Sequence, residues 1–431
     1  MTLTKRAIAH NPIKPDIALA ERLFAELRTR TGTSQGITRT SYGLGEQIAH
    51  EIVRREARKL ALEIVTDAAC NLYMTYRGRM PGRGIFLGSH LDSVPRGGNY
   101  DGSAGVLMGL SVISGYRNAG VIPPRDITVM AIRAEESTWF GASYIGSRAA
   151  FGQLAPAELD SVVRAHDRME LGRAIDAAGG NSAALIAGET FLSPEKVGLF
   201  LEAHIEQGPV LVEEQLPVGI VTGICGSFRH RAASCHGSYA HSGATPRAYR
   251  ADAVLATAAL VVQLDAAWTR LANDGHVMTV TLCQFATDGH EAAFSKVAGR
   301  VDFSLDVRSE SLQTLQLMRK ELAEAVARIG AEHRVRFDLG SETTSEPGLM
   351  DRRVITGLQS SAAGTGVAAK VMPCGAGHDA AVFAKAGVPT GMIFIRNRNG
   401  SHNPHEHMDI SDFAAAANVL FDLCLAPPDV F

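Results

Sequence analysis

The sequence contains no Cys-x-x-Cys pair. Its six cysteines (Cys70, Cys225, Cys235, Cys283, Cys374 and Cys424) are scattered along the chain. That spacing excludes a zinc knuckle and a disulfide framework, and suits reduced thiols in the cytoplasm. An excess of one charge is also missing: 42 Lys and Arg stand against 45 Asp and Glu, for a formal net charge of -3. This balance argues against nucleic acid or an anionic membrane as the main partner. No apolar run approaches the roughly 20 residues that cross a bilayer. Residues Met1–His10 lack the apolar core and small-residue cleavage site of a secretory leader, so no signal peptide is expected. There is no internal repeat and no low-complexity tract. What remains, 431 residues with 46% hydrophobic and 20% charged content, suits two or three folded domains with ample core.

The stretch Gly88–Gly102 stands out. It leaves the apolar run Ile85-Phe-Leu and reads Gly-Ser-His-Leu-Asp-Ser-Val-Pro-Arg-Gly-Gly-Asn-Tyr-Asp-Gly. His90, Asp92 and Asp101 thus follow a strand within one glycine-rich loop. Imidazole and carboxylate are ligands that borderline and harder divalent metals accept, and glycines let the backbone turn tightly enough to bring two acids together. Taken alone, the segment also suits a solvated loop.

Other segments repeat the pattern. Asp126–Arg133 is a nearly continuous apolar strand of the kind buried on both faces of a parallel sheet, and it ends in Ala134-Glu135-Glu136. Lys196–Glu202 reads as a strand leading into Ala203-His204-Ile-Glu206-Gln207-Gly-Pro209. Thr390–Arg396 is a strand before Ser401-His402-Asn-Pro-His405-Glu406-His407. Sites in open α/β sheets sit at the carboxyl ends of strands, a rule that gathers His90, Asp101, Glu135, Glu136, His204 and His402 into one place. Helices are expected at residues 16–28, 44–62, 103–116 and 354–363, with a strand pair over 63–78 that turns near Asn71. Gly377-His378-Asp379 opens a further helix, Asp379 being a natural cap; His378 is open to a structural or a catalytic role. His405 and His407 read as solvated, and His166, His276 and His290 carry no spacing signal.

The middle of the chain changes character. Strand 227–236, helix 252–270, strands 278–285 and 301–308, helix 312–329 and strand 334–339 follow the β-α-β-β-α-β order of a ferredoxin-like unit. The expected organisation is an α/β catalytic domain over 1–225 and 343–431, interrupted by a ferredoxin-like α+β lid and dimerisation domain over 226–342.

The Gly88–Gly102 stretch, Ala134-Glu135-Glu136, Glu202–Pro209, Tyr239-Ala-His241-Ser-Gly-Ala-Thr-Pro246 and Ser401–Glu406, in this order, resemble the hydantoinase/carbamoylase family of amidases, relatives of dinuclear-zinc aminopeptidases and carboxypeptidases. The resemblance runs from about residue 40 to the end. It implies that His90, Asp101 and His204 hold one divalent metal and that Asp101, Glu136 and His402 hold the other, with Asp101 bridging. It further implies that Asp92 fixes the His90 imidazole, that Glu135 is the general base, and that Gln207 contacts the substrate amide or ureido group. His241 would stabilise the oxyanion, often from the partner subunit of a homodimer, and Arg308 would grip the substrate carboxylate; a plain surface salt bridge is the alternative for Arg308. The metal could be zinc, manganese, cobalt or nickel.

The implied reaction is hydrolysis of a linear amide C–N bond, foremost that of an N-carbamoyl-L-amino acid to the amino acid, carbon dioxide and ammonia. Allantoate, ureidoglycolate, N-carbamoyl-β-alanine, N-acyl-amino acids and dipeptides are alternative substrates, and a non-catalytic binding protein is the alternative of another class. Two residues depart from the family pattern: Ser295 stands where the family has a substrate-binding Asn, and Ala298 replaces the Pro of that loop. Serine keeps a hydrogen-bonding group but loses reach and the second donor.

Overall fold

The computed structural model describes residues 13–426; Met1–His10 lies outside them. The chain divides into two compact units. One comprises the chain up to Thr222, Met350–Met372 and the chain from His378; the other comprises Gly223–Leu349 with Pro373–Gly377.

The first unit is built on a twisted sheet whose strands run in the order Val218–Ile224, Thr390–Ile395, Val197–Ile205, Gly84–His90, Ile127–Ile132, Leu72–Tyr76, Glu63–Thr66. The four strands from Thr390–Ile395 to Ile127–Ile132 pair in parallel; the flanking pairs are antiparallel. Ile127–Ile132 is buried along its whole length, as its unbroken apolar sequence requires of a strand covered on both faces. Helices Ile17–Thr31, Leu44–Lys59, Ser103–Asn118, Arg352–Thr365 and Ile410–Leu423 contribute to one core cluster with these strands. Because the four central strands are parallel, their carboxyl ends all open at the same edge of the sheet.

The strand after Lys196 is longer than expected. Val197–Ile205 passes through Glu202 and His204, both fully buried, so His204 lies inside the strand rather than in the loop beyond it. The helix after Gly377 begins at Ala380. Asp379 does not cap it with its side chain; its Oδ1 instead accepts from Ser147 Oγ at 2.5 Å.

In the second unit, strands Thr279–Thr287, Arg300–Ser309 and Gly226–His236 form an antiparallel sheet. The short strands Arg336–Asp338 and Glu342–Ser345 both pair with the remaining edge of Gly226–His236. Helices Ala253–Asn273 and Leu312–His333 pack in its core. The β-α-β-β-α-β order is present, with the last strand broken in two. Helix Ala253–Asn273 has the length and mean hydropathy (1.3) of a membrane span, contrary to the expectation that no apolar run comes near that length. Ala256, Leu260, Leu264, Ala267 and Leu271 form its buried face in this core, the arrangement of a helix covering a sheet.

Candidate metal centre

The parallel sheet brings six of the expected residues together, five of them buried and His402 half-exposed at the rim. His90 is the last residue of its strand, His204 stands at the same end of the neighbouring one, and Glu135 and Glu136 follow Ile132. His90, Asp101 and His204 form one group whose ligand atoms all lie within 4.8 Å of one another; Asp101, Glu136 and His402 form a second. The two groups divide Asp101 between them. Its Oδ1 lies 3.0 Å from His204 Nε2 and 3.6 Å from His90 Nε2, while its Oδ2 lies 3.3 Å from His402 Nε2. Glu136 Oε1, 3.8 Å from the same His402 nitrogen, is buried and accepts no hydrogen bond. A buried carboxylate oxygen without a donor is costly unless it meets a cation. Imidazole nitrogens and carboxylate oxygens in this arrangement fit divalent metal ions.

Glycine makes room at two points. A side chain at Gly102, whose φ is 65°, would meet the His90 ring at 2.5 Å. One at Gly98 would meet Glu406 Oε1 at 2.1 Å. Asp92 organises the far side of the site. Fully buried, it lies with Oδ1 3.2 Å from His90 Nδ1. The same oxygen accepts from Glu135 N at 3.1 Å, and Oδ2 accepts from Glu136 N at 3.1 Å and Ser41 Oγ at 2.6 Å. One carboxylate therefore sets the His90 ring and the backbone that carries both glutamates. Ala134, Gln207 and His402 have φ of 51°, 64° and 59°, a left-handed conformation that side chains other than glycine rarely adopt and that gathers at functional sites.

The acids titrate far apart. Burial penalises the Asp101 carboxylate, yet its bonds with His204 and His402 outweigh that and hold its pKa well below the usual range. Burial, with Glu136, Asp379 and Asp92 nearby, pushes Glu135 well above the ordinary glutamate value despite His90. Glu136 is raised to about 7, first by burial and then by Asp101. His402 is raised to about 8 by its bond with Asp101. Neighbouring carboxyls with such divergent pKa values are the pattern of an acid/base site.

Gln207 reaches the same place, its Nε2 donating to Asp101 Oδ2 at 3.1 Å. His241, Ser295 and Arg308 belong to the second unit. There Ala240–His241 pairs with Lys296–Val297, and Ser242 N donates to Ser295 O at 2.8 Å, so two residues far apart in sequence become neighbours. His241 is exposed, and its Nδ1 accepts from Gly243 N and Ala244 N at 3.2 and 3.1 Å. The neutral ring therefore carries its proton on Nε2. Arg308 donates through Nε and Nη2 to Asp306 Oδ2, and through Nη1 to Gly375 O at 2.8 Å.

Three residues gain a place that their sequence context had not assigned. Glu406 Oε1 accepts from Tyr100 N and Asp101 N at 2.8 and 3.2 Å; Oε2 accepts from Ser401 Oγ, which also lies 2.8 Å from Asp101 Oδ2. Glu202 accepts from Ser89 Oγ and Ala380 N at 2.8 and 2.7 Å; its signal was a lone acid inside an apolar strand. His378 is fully buried beside His204, ring centroids 4.3 Å apart, with Nε2 unpartnered. His405 and His407 are exposed, as expected of a solvated loop.

A parallel sheet ending in this donor set forms a candidate divalent-metal centre. Residues 86–426 match the model of peptidase family M20/M25/M40. An N-carbamoyl-L-amino acid amidohydrolase of Geobacillus stearothermophilus is 34% identical over 390 residues, 90% of this chain and 92% of that protein. An allantoate amidohydrolase of Escherichia coli is 29% identical over 394 residues, 89% of this chain and 91% of its own. The solved structure of a hydantoinase/carbamoylase family amidase from Burkholderia multivorans superposes with a TM-score of 0.86 at 26% identity, over 96% of this chain and 98% of the other. The chain belongs to peptidase family M20/M25/M40, and within it to the hydantoinase/carbamoylase amidases. It is an amidohydrolase, acting on carbon–nitrogen bonds other than peptide bonds.

Proposed function

We propose that the chain hydrolyses the carbamoyl C–N bond of N-carbamoyl-L-amino acids at a centre of two divalent metal ions, releasing the amino acid, carbon dioxide and ammonia. The observation that carries the two-metal reading is Asp101, whose two oxygens face two separate ligand groups. His90, Asp101 and His204 would hold one ion, and Asp101, Glu136 and His402 the other. Bound there, the ions supply Lewis acidity to the attacking water and the scissile carbonyl. Glu135, with its raised pKa and its backbone fixed by Asp92, takes the proton from the water and delivers it to the departing nitrogen. Asp92 keeps the His90 ring turned to the metal side. Gln207 binds the ureido group. His241 offers its Nε2 proton to the developing oxyanion, a contact of the kind that lowers a barrier by about 3 to 4 kcal/mol. Arg308 pairs with the substrate carboxylate, for which its forked donors suit it. The protein is expected to work as a cytoplasmic homodimer.

The substrate choice is supported by relatives named N-carbamoyl-L-amino-acid amidohydrolase at 31% and 34% identity. A second reading, a ureide such as allantoate or ureidoglycolate, is supported by relatives named allantoate amidohydrolase and ureidoglycolate hydrolase, each at 29% identity; Ser295 changes what the loop can donate to either substrate. The test is ammonia and amino-acid release by zinc- or manganese-loaded protein from N-carbamoyl-L-amino acids, N-carbamoyl-β-alanine, allantoate, ureidoglycolate and N-acyl-amino acids, with and without chelator. Chelator-sensitive release of both products from N-carbamoyl-L-amino acids is expected. Turnover of N-acyl-amino acids alone would remove the carbamoylase reading. Glu135→Gln should abolish turnover with metal content unchanged.

A further inference from the structure

Three arginines are buried among the described residues. Arg133 pairs with Glu46 at 2.9 Å and Arg164 with Asp167 at 2.7 Å. Arg39 is different. It is fully buried, yet its guanidinium reaches only neutral acceptors: Nε donates to Leu91 O at 2.7 Å and Nη1 to Asn99 Oδ1 at 3.5 Å, while Nη2 has no partner. Its backbone adds two bonds to Ser93, Arg39 N to Oγ and Ser93 N to Arg39 O, both 2.9 Å. All these contacts fall on residues 91–99, the segment that joins His90 to Asp101.

Burying a guanidinium costs several kcal/mol unless charge of the other sign offsets it. One long bond and one good bond to neutral oxygens do not do that. The offset comes from the acids of the metal centre: burial draws the Arg39 pKa down, and Glu406, Asp101, Asp92 and Glu136 pull it back. With no metal bound, these acids are offset by the His90, His204 and His402 imidazoles, whose pKa values they raise, and by Arg39, whose guanidinium keeps its charge at every working pH.

We infer that Arg39 is a positioning residue of the metal centre, a permanent internal cation that helps hold the His90–Asp101 segment in place while the centre is empty and that metal ions relieve of this task on binding. The inference rests on the proposed metal centre and adds a consequence. A side chain needed only for packing would cost the same stability in the empty and the loaded protein. A stand-in for metal charge costs more in the empty one. By linkage, its removal must then tighten metal binding to the folded chain.

The test uses full-length wild-type, Arg39→Met, Arg39→Lys and Asn99→Ala proteins, stripped of metal and titrated with zinc by calorimetry, with thermal melts at zero and saturating zinc. Arg39→Met should melt lower than wild type when empty and recover most of the difference with zinc. Its zinc-induced rise in melting temperature should exceed that of wild type by at least about 3 °C, and its zinc affinity should be roughly tenfold or more higher. Arg39→Lys, which keeps the charge, should respond to zinc as wild type does. Asn99→Ala, which removes a neutral partner, should lose equal stability with and without zinc. Equal zinc-induced rises in Arg39→Met and wild type, an Arg39→Lys protein that behaves like Arg39→Met, or an Arg39→Met chain that stays unfolded even in saturating zinc would each overturn the inference. Failure of wild type itself to bind zinc would instead remove the metal-centre reading on which it stands.

Discussion

Replacing Asp92 by Asn changes one atom in a site that has no slack. The carboxylate faces four donors: His90 Nδ1 and Glu135 N on Oδ1, Glu136 N and Ser41 Oγ on Oδ2. An amide has a single oxygen. If it takes the place of Oδ1, His90 and Glu135 keep their partner, but the amide NH2 then points at Glu136 N. Ser41 can turn its hydroxyl and accept instead; a backbone N–H cannot. One buried donor is stranded, which costs about 1 to 3 kcal/mol, and the peptide that carries Glu136 must shift to find another acceptor. If the amide flips, Glu135 N loses its partner and His90 Nδ1 keeps only the main-chain oxygen of residue 92 at 3.2 Å, and the loss moves to the other ligand group. In either orientation one of the two sites is damaged, and metal affinity should fall roughly 10- to 100-fold at that site. Calorimetric zinc titration of Asp92→Asn beside wild type measures it: one weakened binding step next to a nearly normal one is expected. Two steps of wild-type affinity would refute the claim that Asp92 holds the ligand backbone.

Two further predictions concern substrate and pH. Arg308→Ala should raise KM roughly 10- to 100-fold for substrates with a free carboxylate, as expected for loss of a charge-assisted pair, and do little for the corresponding amides; equal effects on both would assign Arg308 to its contacts with Asp306 and Gly375 alone. For metal-free protein, His402 is raised from 6.5 to about 8, so its stabilising contribution is complete below pH 6.5 and is lost as pH rises through 8. Glu136, raised from 4.5 to about 7, ionises more easily when unfolded and adds a decline of the same sign between those values. Melting temperatures of chelator-treated protein should therefore fall from pH 6 to pH 9, and the slope should flatten once zinc occupies the His402 imidazole; a slope unchanged by zinc would contradict this account.

Much of this centre can be read along the chain because parallel strands leave local marks. An unbroken apolar run such as Ile127–Ile132 signals a strand covered on both faces, and the polar residue that ends it marks the sheet edge where ligands gather. His90, Glu135 and Glu136 follow from that reasoning alone. Glu202 and His204 do not, because the strand continues through them: their burial is met by Ser89, Ala380 and Asp101, residues 100 or more positions away or on another element. Asp379 has the sequence position of a cap, but Ser147 from a different helix claims its oxygen. Glu342–Ser345 carries no apolar alternation because all four of its residues are exposed; it is a strand only through pairing with Gly226–His236. Arg39 precedes its helix with no motif of its own, and its proposed role depends on burial beside acids that arrive from three other segments.

The most direct measurement on the central claim is an anomalous difference map from crystals grown with zinc or manganese, recorded at the metal edge. The account predicts two peaks per chain about 3.5 to 4 Å apart, one beside each oxygen of Asp101. A single peak, or peaks away from Asp101, would contradict it.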